Sequence, residues 1–226
     1  MIGEGSCNAV FFATHKLTGR QVAIKEMNKT KYEILRITNR VSEGHAMTLC
    51  QGSPNVIKFI EEFSMQDKVY IITKFYQGGD LISYMDNEGM TKLSEDGARK
   101  IVVQIAQGLS DIHKAGICHR DIKHLNIFIS NSGASPVVKI GDFGHSARLN
   151  TNEAIKKLAG TIGFMAPEVV LDEPSDFKSD VWSLGIILYA LISTGVPFIG
   201  NSREEFKTSI TQSPLTFNRP VWRSIS

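Results

Sequence analysis

His119-Arg120-Asp121-Ile122-Lys123-His124-Leu125-Asn126 gathers a guanidinium, a carboxylate, an ammonium and a side-chain amide into one short stretch. Ahead of it, Ala98, Ile101, Val102, Ile105, Leu109 and Ile112 recur at helical spacing between a start at Ser94-Glu95-Asp96 and a stop at Gly116. Behind it, two short apolar runs, Asn126 to Ser130 and Val137 to Ile140, flank a Ser/Gly/Pro turn and lead into Gly141-Asp142-Phe143-Gly144. Helices dominate beyond that strip. The nearly uncharged stretch Val181 to Ile192 is too short for the roughly 20 apolar residues of a membrane span and reads as a buried helix.

Toward the N-terminus the character changes near residues 76 to 80, at Gly78-Gly79, which reads as a linker between two lobes. Ala9 to Thr14 and Arg20 to Glu26 carry β-branched and apolar residues around the turn Leu17-Thr18-Gly19, as a hairpin does. One helix is expected from Thr30 to Cys50, with Ile34, Ile37, Val41 and Met47 as its apolar face and Gly44 weakening the pattern. Strands are expected over Val56 to Phe63 and Lys68 to Phe75, around Gln66-Asp67. Residues 1 to 75 thus read as a small β-rich lobe with one helix.

Composition bounds the rest. At 226 residues with 42% hydrophobic and 21% charged positions, the chain suits one large domain or two small lobes with a sizeable core. Its 25 basic and 23 acidic residues leave a formal charge of +2, which gives no electrostatic case for nucleic acid or an anionic membrane as main partner. Cys7, Cys50 and Cys118 are odd in number and widely spaced, which suits a reducing compartment rather than a disulfide framework or a zinc site. Met1 is followed at once by Gly3 and Gly5, leaving no room for a signal peptide's charged-then-apolar pattern. The expected setting is intracellular, cytoplasmic first and nuclear second.

Gly3-Glu4-Gly5-Ser6-Cys7-Asn8-Ala9-Val10 is a glycine-rich turn that lets backbone N–H groups approach phosphate oxygens, although by itself it suits a structural hairpin equally well. Val22-Ala23-Ile24-Lys25 places a lysine at the end of an apolar strand, where alone it reads as an edge lysine. With the His119 to Asn126 stretch, Gly141 to Gly144, Met165-Ala166-Pro167-Glu168 and Asp180-Val181-Trp182-Ser183-Leu184-Gly185, the order resembles the signatures of the protein-kinase family along essentially the whole chain. The fold that this resemblance implies is α+β and bilobal: a small antiparallel-sheet lobe with one main helix, a hinge at 76–80, and a mostly helical lobe over 81–226.

The resemblance also implies the chemistry. Lys25 holds the α/β-phosphates of ATP and is itself held by Glu43, 18 residues on, whereas Glu33 reads as a solvated helix residue. Asn126 and Asp142 offer hard oxygens to Mg²⁺. Asp121 orients the acceptor hydroxyl and takes its proton, and Lys123 neutralises charge on the moving phosphoryl group. Gly3 and Gly5 cover the phosphates. Val10, Ala23 and Phe128 sandwich the adenine, Thr73 lies behind it, and Lys74 to Tyr76 offer backbone hydrogen bonds. Asp80 either binds the ribose or caps the helix starting at Leu81. His119 and Phe143 are expected to stack with Met47 and Phe59 in an apolar spine ending on Asp180.

Lys123 and Thr161 fit the serine/threonine-specific pattern, with Thr161 bonding near Asp121 and Lys123 rather than serving as a phosphorylation site. Gly78-Gly79-Asp80-Leu81 and Gly195-Val196-Pro197-Phe198 are most similar to calcium/calmodulin-dependent or NIMA-related kinases. Arg120 belongs to a basic pocket for a phosphorylated activation segment, yet Lys157 occupies the usual phosphosite position. Thr151 and Ser146 are the replacement hydroxyls and Glu153 a fixed charge, so activity is expected not to require phosphorylation at the usual site. Leu125 and Ala190 stand where arginine-directed relatives carry acids, while Asp80 favours a substrate arginine. A protein substrate with a Ser or Thr acceptor is expected; no regulatory partner is legible. The chain is short for the family, and Glu168 is expected to lack its arginine partner. The alternative class is a pseudokinase, favoured by Asn8, His124 and Leu125 and opposed by Lys25, Glu43, Asp121, Lys123, Asn126 and Asp142 all being present.

Overall fold

The computed structural model describes residues 3–5, 8–130, 136–150, 154–155 and 159–226, with side chains from residue 9 onward. Cys7, Thr151, Glu153 and Lys157 lie outside the described residues. The N-terminal third is built on a five-stranded sheet in the order β1-β2-β3-β5-β4, formed by β1 (Gly3–Gly5), β2 (Asn8–Thr14), β3 (Gln21–Asn28), β4 (Phe59–Met65) and β5 (Lys68–Lys74). Every pairing is antiparallel. The β2–β3 turn closes with Gly19 at φ 67 and its N–H on the His15 carbonyl.

The single helix expected over 30–50 is two. α1 (Lys29–Asn39) ends where Arg40 turns left-handed at φ 58, and α2 (Glu43–Leu49) restarts after Ser42, whose side chain accepts from the His45 N–H. A serine cap of this kind stabilises a helix start by about 1 kcal/mol, and it makes the break favourable. The apolar face expected for that helix is also corrected. Ile34 and Ile37 are exposed, whereas Tyr32, Asn39, Val41 and Met47 are buried. Gly44 fits because α2 presses on β4: a Cβ there would stand 2.3 Å from Glu62 Oε2. The strand expected from Val56 starts only at Phe59. Val56 instead bridges Ile140, and the Ile57 N–H donates to the Ile140 carbonyl at 2.9 Å.

The remaining two thirds are mainly helical: α3 (Leu81–Asn87), α4 (Glu95–Lys114), α5 (Pro167–Val170), α6 (Lys178–Ser193) and α7 (Arg203–Gln212). Two small antiparallel pairs complete them, β6 (Ile117–Cys118) with β9 (Ala147–Arg148), and β7 (Ile127–Ile129) with β8 (Val138–Ile140). α4 packs on α6 and β8 through the predicted stripe, of which Ala98, Ile101, Ile105, Leu109 and Ile112 are buried. One apolar core runs continuously from Met27 and Val69 in the sheet to Ile187 and Leu191 in α6. No helix among the described residues is long and apolar enough to cross a membrane.

Between the two parts, Gly78 lies so close to β7 that a Cβ would meet the Ile129 carbonyl oxygen at 2.6 Å. Backbone cannot swing aside as a side chain can. Gly78→Ala is therefore expected to cost about 1–3 kcal/mol, the range for overpacking. A thermal melt that moved by less than a degree would contradict this contact.

Candidate active site

Strand register assembles the upper wall. Opposite residues of antiparallel neighbours share a face, and so do alternate residues along a strand. Val10 pairs with Lys25, and Ala23 pairs with Thr73, so Val10, Ala23, Lys25 and Thr73 stand on one face of the sheet. Gly3 and Gly5 lie on β1, paired with Val10 and Asn8 at the same end. Phe128 lies on β7, close enough to the backbone of the next strand's end that a Cβ at Gly141 would stand 2.8 Å from its ring. At the connection, the Tyr76 N–H has no partner among the described residues, while its hydroxyl accepts from the Lys58 N–H at 3.0 Å. Asp80 is the N-cap of α3: Oδ1 accepts from the Ile82 and Ser83 N–H groups and Oδ2 from the Ser83 hydroxyl.

Lys25 is the centre of an ion cluster. Its Nζ donates to both Glu43 oxygens at 2.8 and 2.9 Å and to Asp142 Oδ1 at 2.6 Å. Burial works against its charge, but Asp142 and Glu43 outweigh it and hold the ammonium above the ordinary lysine range. Burial alone would raise Asp142 too, and Lys25 reverses that, holding the carboxyl well below the usual range. For Glu43, burial outweighs the pull of Lys25, so its carboxyl is raised. Glu43 owes its place to the second helix start, where a carboxylate also suits the helix dipole. Glu33 pairs with Arg36 on the surface instead. Gly144 completes the cluster by having no side chain: a Cβ would stand 3.1–3.2 Å from Lys25 Nζ, Asp142 Oδ1 and Glu43 Oε2.

A second cluster surrounds Asp121. Oδ1 accepts from the Thr161 hydroxyl at 2.7 Å, and Oδ2 accepts from Asn126 Nδ2 at 3.0 Å and lies 2.8 Å from Lys123 Nζ. Lys123 also donates to Thr161 Oγ1 at 2.8 Å, and Asn126 Nδ2 to the Asp121 carbonyl at 2.7 Å. Burial opposes the Asp121 charge, yet its bonds to Lys123 and Thr161 hold the carboxyl below the usual range. A carboxylate has about four acceptor sites. Three are engaged here, and one is open among the described residues.

The loop carrying Asp121 is anchored from beneath. Asp180 is buried in α6, with Oδ2 accepting from the His119 N–H at 2.8 Å and Oδ1 from the Arg120 N–H at 2.7 Å. His113 Nε2 lies 2.8 Å from Oδ2, a support that no sequence signal announced. His119 meets the Phe143 ring edge-on at 4.9 Å and its Nε2 lies 3.0 Å from the Gly141 carbonyl. Met47 is fully buried and Phe59 packs against the same core.

Ser146 is corrected as a candidate phosphorylation site. It is 2% exposed and donates to the His119 carbonyl, so its hydroxyl is inside the fold. The Glu168 side chain has no hydrogen-bond or ion-pair partner among the described residues.

The protein kinase domain model matches residues 1–226. The chain belongs to the protein kinase family. The kinase domain is 31% identical to the serine/threonine-protein kinase ATG1a of Arabidopsis thaliana over 96% of its length and 34% of the relative's. It is 32% identical to a probable myosin light chain kinase of Dictyostelium discoideum, over 100% of this chain and 57% of that one. The human serine/threonine-protein kinase Nek5 is 33% identical over 94% of the chain and 30% of its own length. These identities differ by two points, so similarity alone does not separate the two expected subgroups. The chain spans between 30% and 57% of the length of these relatives.

For a divalent ion, Asn126 Oδ1 and Asp142 Oδ2 are the oxygens without a partner among the described residues. No group of three or more His, Cys, Asp or Glu suited to a metal occurs there. That donor set fits Mg²⁺, which typically takes one or two protein oxygens and completes its shell with phosphate and water.

Proposed function

We propose that this domain transfers the γ-phosphate of ATP to Ser or Thr hydroxyls of protein substrates with Mg²⁺. The observation that carries the reading is the pairing of two clusters: a lysine held between Glu43 and Asp142, and an ionised Asp121 with one acceptor site open. Residues 1–75 and 81–226 act as lobes on either side of the 76–80 hinge, whose Tyr76 N–H donates to the adenine. Val10, Ala23 and Phe128 enclose the base, Thr73 backs it, and the Lys74 carbonyl is a further contact. Asp80 remains the capping residue, with the ribose as its second partner. Gly3 and Gly5 bring backbone to the phosphates.

Asn126 and Asp142 hold the metal, which when bound neutralises charge on the phosphates. Lys25 fixes the phosphate tail. Asp121 receives the acceptor hydroxyl at its open site, aligns its oxygen and takes its proton as the bond to phosphorus forms. Lys123 offsets charge on the transferring group, and Thr161 keeps Asp121 and Lys123 in register. Such chemistry rests on positioning and electrostatics. Two buried free thiols, Cys50 and Cys118, suit an intracellular setting, with the Cys50 thiol pushed up to about 12 by burial.

The test is γ-phosphate transfer from ATP with Mg²⁺ to a generic basic protein, followed by identification of the phosphorylated residue. Phosphoserine and phosphothreonine are expected; phosphotyrosine alone, or no transfer, would overturn the reading. Thr161→Val removes the hydroxyl bridge and is expected to lower kcat about tenfold with little change in ATP affinity, whereas Thr161→Ser retains most activity. Equal rates for Val and Ser would remove Thr161 from the mechanism.

A further inference from the structure

The Arg120 guanidinium sits where three parts of the molecule meet. Its own backbone stands at φ 66, held by the Arg120 N–H bond to Asp180. Its Nε donates to the His145 carbonyl at 2.8 Å, one residue beyond Gly144. Its Nη2 donates to Asn39 Oδ1 at 3.1 Å, and its Nη1 is buried without a partner among the described residues. Asn39 is only 3% exposed and is the last residue of α1, immediately before the left-handed Arg40.

These bonds close a circuit. From Arg120 the contacts run to Asn39, along the short link through Ser42 to Glu43, across to Lys25, on to Asp142, and along the backbone to His145, which returns to Arg120. Within this circuit the Asn39 amide is the neutral side chain on which the lower part of the site grips the helix pair carrying Glu43. Polar groups this deeply buried are found bonded, and an arginine deprived of an acceptor bears a full desolvation penalty.

We propose that Asn39 is a positioning residue for phosphoryl transfer: its side-chain oxygen fixes Arg120 to the end of α1 and so sets Glu43 against Lys25 with no phosphate on the activation segment. The inference rests on the function proposed above. Arg120 needs an acceptor from the helix side, and Asn39 is one that the polypeptide itself supplies. Modification at Thr151 or elsewhere then is not required for assembly.

The experiment compares phosphatase-treated wild type with Asn39→Leu, which keeps the volume but lacks the acceptor, and Asn39→Asp, which keeps the oxygen. Steady-state rates with ATP and a basic protein, thermal melts, and amide hydrogen exchange over residues 42–47 are the readouts. Asn39→Leu is expected to lose about tenfold in kcat and to exchange faster over 42–47, with Asn39→Asp close to wild type in both. Wild-type rates and exchange in Asn39→Leu, or a loss in Asn39→Asp as large as in Asn39→Leu, would overturn the proposal. Should Asn39→Leu show no cooperative melt, Asn39→Ser replaces it; failure of both to fold assigns Asn39 to stability alone and likewise overturns it. A wild type that transfers no phosphate defeats the proposed function, while the exchange comparison still decides the role of Asn39.

Discussion

Asp142→Ala is expected to lower γ-phosphate transfer about a thousandfold, to the background of the assay. The loss has two sources. The side chain supplies the unpartnered oxygen suited to the metal, an interaction that contributes several kcal/mol when charge develops on phosphate, and about 4 kcal/mol corresponds to three powers of ten. It also supplies one of the two anions that hold Lys25, whose remaining bonds would all run to Glu43. Asp142 stands at φ 58, a conformation that aspartate and asparagine tolerate better than alanine, so Ala adds roughly 1 kcal/mol of backbone strain. Asp142→Asn separates the effects, because it keeps the backbone preference and the size while removing the charge. Both variants are expected to be equally inactive, with Asn melting higher. Transfer by Asp142→Asn at even a tenth of the wild-type rate would refute the role given to the carboxylate.

Asp180→Asn carries the second large effect, and it is on stability first. The carboxylate accepts from the His119 and Arg120 N–H groups and faces His113, all on a group that is 1% exposed. An amide of the same shape must present an NH₂ to one of these donors, leaving it unpaired in the interior. The expected cost is about 3 kcal/mol, the upper end for leaving a buried donor without its acceptor. Either orientation of the amide leaves one loop N–H, that of His119 or that of Arg120, without its acceptor, so the loop bearing Asp121 loosens and kcat falls with the melting temperature. Burial raises the Asp180 carboxyl, but His113 and His119 outweigh it and the group is held below its usual range. This stabilisation is therefore present above about pH 4 and is lost as pH falls through the folded value. A melting temperature unchanged at neutral pH would show that the loop is anchored by something else.

How much of this is legible in the sequence depends on whether a signal is local. The resemblance to protein kinases pairs Lys25 with Glu43, 18 residues on, and the structure brings their charged atoms to 2.8 Å. Thr161, Asp121 and Lys123 were grouped from motif order and meet within one set of hydrogen bonds. The helix over 30–50 failed because Ile34 and Ile37 mimic a buried face while standing in solvent, and the residues that decide the break, Arg40 and Ser42, carry no apolar signal. Ser146 looked available because a hydroxyl in a loop usually is; its burial follows from packing under His119, which no neighbouring residue reveals. Asn39 was invisible for the same reason, since its partner lies 81 positions away.

One feature of the Lys25 cluster bears on how the cleft fills. An ammonium has three N–H donors, and here all three are engaged, two by Glu43 and one by Asp142. A further acceptor would find no idle N–H at this lysine and would have to displace a carboxylate rather than add to the cluster. Asp142, with its side chain 38% exposed against 5% for Glu43, is the partner better placed to let go. A move of Asp142 away from Lys25 would free one of the three N–H donors, so what this lysine can reach is governed by Asp142 at a single nitrogen atom.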